Sequence, residues 1–171
     1  MTELTDFQRK LSALLPNVEL RFVEALAKHT SFRIGGNAEV MAFPKTKEEL
    51  ADILKACAEL NHKCAILGAG TNVLAPDEGV RGLIVCLKDC LGGMERLDET
   101  RIRVMAGMTM ARAAVNAANL GLAGMEFAHG IPGTVGGGVY MNAGAYGGEI
   151  CQICESVEVM DFDGRLFRPV S

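Results

Sequence analysis

Glycine is concentrated in one stretch of the 171-residue sequence, GIPGTVGGGVYMNAGAYGGE, at residues 130–149. Eight of its twenty residues are glycine, and an ordered glycine loses more conformational freedom on folding than any other residue. Side chains of the kind that is usually buried interrupt the glycines, namely Ile131, Val135, Val139, Tyr140, Met141 and Tyr146. The stretch is therefore not a flexible linker. Its bare backbone must either pack closely against the protein itself or lie against a ligand.

Length and composition indicate one substantial domain or two small subdomains. Hydrophobic residues make up 49% of the chain and charged residues 22%, which is ordinary for a globular protein. A net charge of −4 without a basic stripe argues against nucleic-acid binding. No apolar run approaches the ~20 residues of a membrane span, and the N-terminus lacks a secretory signal. We expect a cytoplasmic protein that binds neither nucleic acid nor a membrane.

The six cysteines, at positions 57, 64, 86, 90, 151 and 154, are interpreted as reduced thiols, as is usual in the cytoplasm. Cys151 and Cys154 have a CxxC spacing, but a zinc site would need a second pair or nearby histidines. We therefore expect no metal and a structural role for this pair.

Hydrophobic periodicity and capping residues predict three helices. The first covers residues 5–15 and is ended by Pro16. The second follows a capping box at residues 46–49, in which Glu49 reaches back to the cap amide, and runs to about residue 60. The third covers residues 110–120, capped by Thr109 and followed by Gly121.

Strands are predicted at residues 39–43, 63–67, 82–87, 100–105, 156–161 and 165–170, the last two joined by a hairpin turn at Asp163 and Gly164. Helices and strands alternate at first and hairpins follow, which favours an α+β architecture in two subdomains with a seam near residues 87–93. We divide the chain into an N-terminal helix and lead-in at 1–27, a first subdomain at 28–90 and a second at 91–171.

The first glycine loop, LGAGTNVL at residues 67–74, directly follows a predicted strand. A dinucleotide-binding Rossmann site would need a helix after this loop, but Pro76, Asp77 and Gly79 leave no room for one, and the third glycine is missing. Backbone N–H groups in such a loop can still form a concave nest for an anion, with Thr71 and Asn72 as further donors. The alternative is an ordinary turn that needs a positive φ.

The second glycine loop starts with a tight turn at residues 130–133. The following TVGGG run would make a poor isolated helix, because each glycine costs ~1 kcal/mol relative to alanine. Close packing on a flat ligand would compensate, whereas the alternative is a buried turn between two subdomains. The two loops together fit one extended ligand with a diphosphate and a flat ring.

Four segments now carry a resemblance to a known family. TSFRIGG at 30–36, LGAGTN at 67–72, GMEFAHGIPGTVGG at 124–137 and MNAGAYGGE at 141–149 closely resemble the UDP-N-acetylenolpyruvoylglucosamine reductases. These flavoenzymes complete UDP-N-acetylmuramate for bacterial peptidoglycan. The resemblance runs from about Ala27 to the end of the chain, with Thr71 where a serine is usual.

The resemblance implies an α+β FAD-binding fold of the p-cresol methylhydroxylase/vanillyl-alcohol oxidase type, with FAD held non-covalently between two subdomains. It also implies NADPH as hydride donor and UDP-N-acetylglucosamine enolpyruvate as substrate. The FAD-binding residues implied are Gly68, Ala69, Gly70, Thr71, Asn72, Val73, Leu74, Gly130, Ile131, Pro132, Gly133, Thr134, Gly136, Gly137, Asn142, Ala143, Gly144, Ala145, Tyr146 and Gly147. The family's arginine-bearing motif, serine proton donor and catalytic glutamate have no counterpart in residues 1–171. We therefore assign no catalytic residue and interpret the chain as an N-terminal FAD-binding part, inactive by itself.

Two other interpretations stay open. An alcohol or hydroxy-acid oxidase of the same fold would often hold FAD through a covalent bond, for which His129 is the nearest candidate in sequence. A non-enzymatic nucleotide-binding module is the other. The roles of Arg33, Glu126 and Glu149, which belong to the resembling segments, are not assigned.

Overall fold

The computed structural model describes residues 3–88 and 90–168. Within them lie four α-helices, α1 (Asp6–Leu14), α2 (Lys47–Glu59), α3 (Met110–Asn119) and α4 (Val135–Tyr140). Every one of the four begins after a threonine whose hydroxyl accepts a hydrogen bond from a backbone N–H of the first turn, which satisfies one of the helix's free donors. These threonines are Thr5, Thr46, Thr109 and Thr134. The three predicted helices are confirmed, and Gly121 follows α3 with a φ of 74°.

The capping box predicted for α2 is wrong in one detail. The hydroxyl of Thr46 does accept a hydrogen bond from the N–H of Glu49. The Glu49 carboxylate, however, accepts from the N–H of Lys45 at 2.7 Å rather than from the cap residue itself. The reciprocal arrangement is present instead at α1, between Thr5 and Gln8.

A four-stranded sheet occupies the first half of the chain, with strands β1 (Glu19–Ala25), β2 (Asn37–Phe43), β3 (Cys64–Leu67) and β4 (Val80–Cys86). Its order is β1-β2-β4-β3, with β2, β4 and β3 parallel and β1 antiparallel to β2. Strand β1 was not predicted from the sequence. Because parallel strands bring their carboxyl ends to one edge, the loop after β3 lies at that edge.

Both faces of this sheet carry apolar side chains. On one face α1 and α2 cover the sheet, and α2 buries the four residues that its periodicity predicts, Leu50, Ile53, Leu54 and Cys57. The opposite face has a second apolar cluster that includes Met41, Ile84 and Leu67. The sheet is therefore a rigid base for the loop that follows Leu67.

The second half of the chain contains α3, α4 and several short strands and turns. Its strands pair in three two-stranded hairpins: β5 (Met94–Arg96) with β6 (Ile102–Val104), β7 (Gly144–Ala145) with β8 (Gly148–Glu149), and β9 (Val159–Met160) with β10 (Leu166–Phe167). It also contains 3₁₀ turns at Glu126–Gly130 and Ile150–Gln152. A third 3₁₀ turn, Leu26–Lys28, lies in the first half of the chain. The division at 1–27, 28–90 and 91–171 stays a prediction. In the described residues no helix has the length and apolar character that would let it cross a membrane.

The last hairpin has shorter strands and a different turn from those predicted. The N–H of Gly164 donates to the carbonyl oxygen of Asp161, so Phe162 and Asp163 are the central residues and Gly164 follows with a φ of 77°. The end of the predicted return strand, residues 169–170, lies outside the described residues. This hairpin packs back on α2, where the Lys47 ammonium bonds to the Glu158 carboxylate at 2.6 Å.

Truncating a buried side chain of α2 tests this core. Ile53 is fully buried under the sheet, so we expect Ile53→Ala to lower the free energy of unfolding by about 2–5 kcal/mol through lost contacts and a cavity. Asp52→Ala, on the exposed side of the same helix, is the matched control and should leave that free energy nearly unchanged. Urea unfolding followed by circular dichroism measures both. Equal effects of the two substitutions would contradict the packing of α2 described above.

Candidate functional site

The loop at residues 68–74, called here the phosphate loop, carries a row of unused hydrogen-bond donors. Among the hydrogen bonds of the described residues, none has an N–H of residues 69–74 as its donor. No helix follows the loop, since β4 starts at Val80, so a Rossmann arrangement is absent as predicted. Several free N–H groups in one short loop form a surface that attracts an anion.

The segment at residues 29–31 lies directly beneath the phosphate loop. The N–H of Ser31 donates to the carbonyl oxygen of Gly70 at 3.0 Å. A Cβ on Gly70 would be 2.0 Å from the carbonyl oxygen of His29, and Gly70 has a φ of 64°, so the chain itself requires glycine there. In a trans peptide the C=O and N–H point in opposite directions. Binding of the Gly70 carbonyl by Ser31 therefore turns the N–H of Thr71 away from residues 29–31.

The two glycine loops meet, as the hypothesis of one extended ligand requires. The Thr71 hydroxyl donates to the carbonyl oxygen of Pro132 at 3.1 Å. A Cβ on Gly68 would lie 2.5 Å from Oγ1 of Thr134, the residue that caps α4. Thr134 in turn forms an isolated bridge with Thr109, the cap of α3. The sheet and the second half of the chain are thus joined through these loops.

The glycines of α4 have different neighbours. A Cβ on Gly136 would be 2.9 Å from Cβ of Ala106, and one on Gly138 would be 2.8 Å from the sulfur of Met110. These two glycines are explained by packing within the protein, as the second interpretation of the sequence proposed. Gly137 is exposed and would meet only the hydroxyl of Thr134, at 3.4 Å. It is the glycine of α4 that is open to a ligand.

The loop at residues 142–147 follows α4 and is held by its own polar side chains. The side-chain oxygen Oδ1 of Asn142 accepts from the N–H of Cys151 at 2.9 Å, and its side-chain nitrogen Nδ2 donates to the Glu149 carboxylate at 3.0 Å. The side chain of Asn142 therefore organises the loop.

The aromatic side chains near this loop point to solvent. Tyr146 is 97% exposed and Tyr140 88%, and Met141 is exposed as well. Of the six side chains that looked like buried ones, these three are exposed, and Ile131, Val135 and Val139 are only partly buried. Tyr146 does not pack under the loop, and both phenols are available to a partner or ligand.

Among the residues that the structure describes, none of the six cysteines forms a disulfide, and Cys151 and Cys154 belong to no group of three or more histidine, cysteine or acidic side chains that could hold a metal ion. The thiol of Cys151 donates to the Glu149 carboxylate at 3.0 Å. This negative neighbour raises the pKa of Cys151, which keeps the thiol protonated and poorly reactive.

The remaining charged candidates are at the surface. His129 is exposed, at the end of the 3₁₀ turn before the second glycine loop. The Glu126 carboxylate accepts from the N–H of Gly124 at 2.9 Å, which is a structural role. Arg33 is exposed with a φ of 56° and makes no ion pair with any residue in the described part of the chain.

The donor set suits a diphosphate better than a cation, because the unused groups are N–H donors and the part of the chain that the structure describes has no group of acidic, histidine or cysteine side chains that could hold a metal ion. This geometry agrees with the family comparison. The model of the FAD binding domain family matches residues 38–168, and the chain belongs to that family.

Within this class the chain is similar to one group of enzymes in particular. It is 38% identical over 162 residues to the UDP-N-acetylenolpyruvoylglucosamine reductase of Clostridioides difficile, covering 95% of this chain and 53% of that protein. The structure of the corresponding Thermus caldophilus reductase superposes with a TM-score of 0.67 at 32% identity, over 90% of this chain and 52% of that one. The chain spans about half the length of the relatives it matches.

More distant structures show the same fold. The glucooligosaccharide oxidase of Acremonium strictum, whose FAD is bonded to a cysteine and a histidine, superposes with a TM-score of 0.68 at 14% identity, over 96% of this chain and 36% of that one. The predicted α+β FAD-binding fold of the p-cresol methylhydroxylase/vanillyl-alcohol oxidase type is confirmed.

Two adjacent glycines of α4 separate contact with a ligand from internal packing. Gly137→Ala adds a methyl group on the open side, so we expect stability to rise by up to about 1 kcal/mol through helix propensity. FAD affinity should fall roughly tenfold, the equivalent of about 1.4 kcal/mol of overpacking against the cofactor. Gly136→Ala is the comparison: its methyl group would press on Ala106 and lower stability in the absence of FAD. Thermal unfolding and flavin titration measure both. Unchanged FAD affinity in Gly137→Ala would show that α4 does not touch the cofactor.

The pH dependence of stability tests the hydrogen bond of His29, which belongs to the segment beneath the phosphate loop. His29 and Glu24 are hydrogen-bonded at 2.9 Å, and this bond lowers the pKa of the Glu24 carboxyl. Because the pKa of Glu24 is lower in the folded than in the unfolded state, its ionised carboxylate stabilises the fold fully at a pH above the unfolded-state pKa of about 4.3. This stabilisation is lost as the pH falls through the lower pKa of the folded state. We expect Glu24→Gln to be less stable than the wild type at neutral pH, and the difference to shrink below about pH 4.

Urea unfolding at neutral pH and near pH 3 measures this difference. Glu59→Gln, at the exposed end of α2, is the control and should follow the wild type at every pH. A difference between Glu24→Gln and the wild type that stays constant with pH would contradict the role given to the ionised carboxylate.

Proposed function

We propose that the chain is the FAD-binding part of an NADPH-dependent reductase that converts UDP-N-acetylglucosamine enolpyruvate to UDP-N-acetylmuramate in peptidoglycan synthesis. The observation that carries the proposal is the phosphate loop, whose N–H groups at residues 69–74 are unused and whose Thr71 N–H faces away from residues 29–31. Its supports are the similarity to reductases along nearly the whole chain and the membership of the FAD binding domain family.

Each part of the site has a binding role in this proposal. The N–H groups of the phosphate loop hold the diphosphate of FAD. Residues 130–137 line the middle of the cofactor, with Gly137 open on that side, and residues 142–147 lie beside its ring. The bound flavin supplies hydride transfer from a nicotinamide to a carbon–carbon double bond. The chain's own residues bind and orient the cofactor, and no residue within 1–171 is proposed as the proton donor.

The substrate, NADPH and catalysis are proposed for the protein of which this chain forms a part. Since the relatives are about twice as long, we propose that residues outside 1–171 supply the substrate site and the general acid, and that the chain alone is inactive. A cytoplasmic location is proposed as well, supported by the six cysteines, none of which forms a disulfide within the described residues, as is typical of a reducing compartment.

FAD loading of the purified chain tests the proposal. We expect FAD to bind and to remain through gel filtration, and ADP to compete with it, because the phosphate loop recognises the diphosphate half. Riboflavin, which lacks phosphates, is the matched ligand control and should bind much more weakly. FAD binding that ADP does not reduce would contradict the assignment of the phosphate loop to the diphosphate.

Acid precipitation of the loaded protein distinguishes the two flavoenzyme interpretations. We expect the flavin to stay in the supernatant, because the proposal holds FAD without a covalent bond. Flavin retained in the precipitate would favour an oxidase with a covalent link, and His129→Ala would then be expected to release it.

A further inference from the structure

The hydroxyl of Thr30 is buried without a hydrogen-bond partner. Thr30 is 6% exposed, and its Oγ1 is the only buried side-chain nitrogen or oxygen atom without a partner among the residues that the structure describes. Such a group is costly, because it has lost its hydrogen bonds to water and gained none from the protein. An unpartnered buried hydroxyl beside a binding loop therefore calls for an explanation.

The surroundings of Thr30 restrict what its partner can be. Its backbone carbonyl oxygen accepts from the N–H of Arg33, whereas its hydroxyl has no partner among the described residues. A Cβ on Gly70 would be 2.9 Å from Cα of Thr30, which places the residue directly against the phosphate loop. Since its Oγ1 is buried, the hydroxyl lies inside the protein beside this loop rather than in solvent.

A hydrogen-bond donor that binds a carbonyl of the loop from the protein side fixes the direction of the next N–H. Ser31 donates to the carbonyl oxygen of Gly70, and the planar trans peptide therefore presents the next N–H, that of Thr71, outward. A second donor beneath the loop would act in the same way on a neighbouring peptide. The Thr30 hydroxyl is such a donor, and it is free.

We propose that Thr30 is a positioning residue for the phosphate loop. When the diphosphate binds, the Thr30 hydroxyl donates to the carbonyl oxygen of Ala69 or Thr71, the neighbours of Gly70, and so turns another N–H toward the diphosphate. This inference rests on the proposed function of the loop. It gives a role to the first residue of the TSFRIGG segment, which neither the fold nor the glycine pattern explains.

Removing the hydroxyl without changing the shape of the side chain tests the inference. We expect Thr30→Val to leave stability without FAD unchanged or higher, because the lost hydroxyl had no partner. Its affinity for FAD and for ADP should fall roughly 3- to 10-fold, the loss of one hydrogen bond. Thr30→Ser keeps the hydroxyl and should bind both ligands within about twofold of the wild type, as a change that spares the hydrogen bond.

The outcomes separate this inference from the proposed function. Wild-type protein that binds neither FAD nor ADP would reject the proposed function itself. Wild-type protein that binds both, with Thr30→Val binding them equally well, would reject only the role of Thr30. A Thr30→Val variant that is less stable without FAD would also reject it, because the hydroxyl would then have a structural partner before the cofactor binds.

Discussion

Two hydrogen bonds hold the phosphate loop between separate parts of the chain, and the candidate site depends on both. Ser31 binds the Gly70 carbonyl from below, and the Thr71 hydroxyl binds the Pro132 carbonyl from the side. The parallel strands set the starting point of the loop, and these two bonds set its orientation. With the Gly70 carbonyl directed inward, the loop can present the N–H of Thr71 outward without a helix behind it, whereas a Rossmann site would require that helix.

Local chemistry made much of the fold predictable. Helix starts depend on a threonine and the N–H groups just after it, so Thr46 and Thr109 could be identified from the sequence. Strand β1 could not, because none of its residues is fully buried and Val23 within it has a φ of 53°. The exact turn of the last hairpin also escaped prediction, because Asp163 and Gly164 suit more than one turn type.

The candidate site was predictable as a pair of loops but not in its contacts. A sequence shows where side chains are missing, yet it does not show which atoms fill the space. At Gly136 and Gly138 those atoms belong to Ala106 and Met110, whereas Gly137 faces outward. Likewise, the sequence suggests a buried side chain at Tyr146, whereas the structure exposes almost all of it. The role proposed for Thr30 depends on an unpartnered hydroxyl, which no sequence pattern reveals.

The link between Thr71 and Pro132 has a consequence for how the protein folds. These residues are 61 positions apart, and the Lys47–Glu158 pair that fastens the last hairpin spans 111 positions. Contacts of such separation require large loops to close first, and they slow folding more than local contacts do. The cofactor site therefore belongs to the slow, non-local part of folding. During synthesis, the glycine-rich backbone stays open until residue 132 has emerged and returned to residue 71.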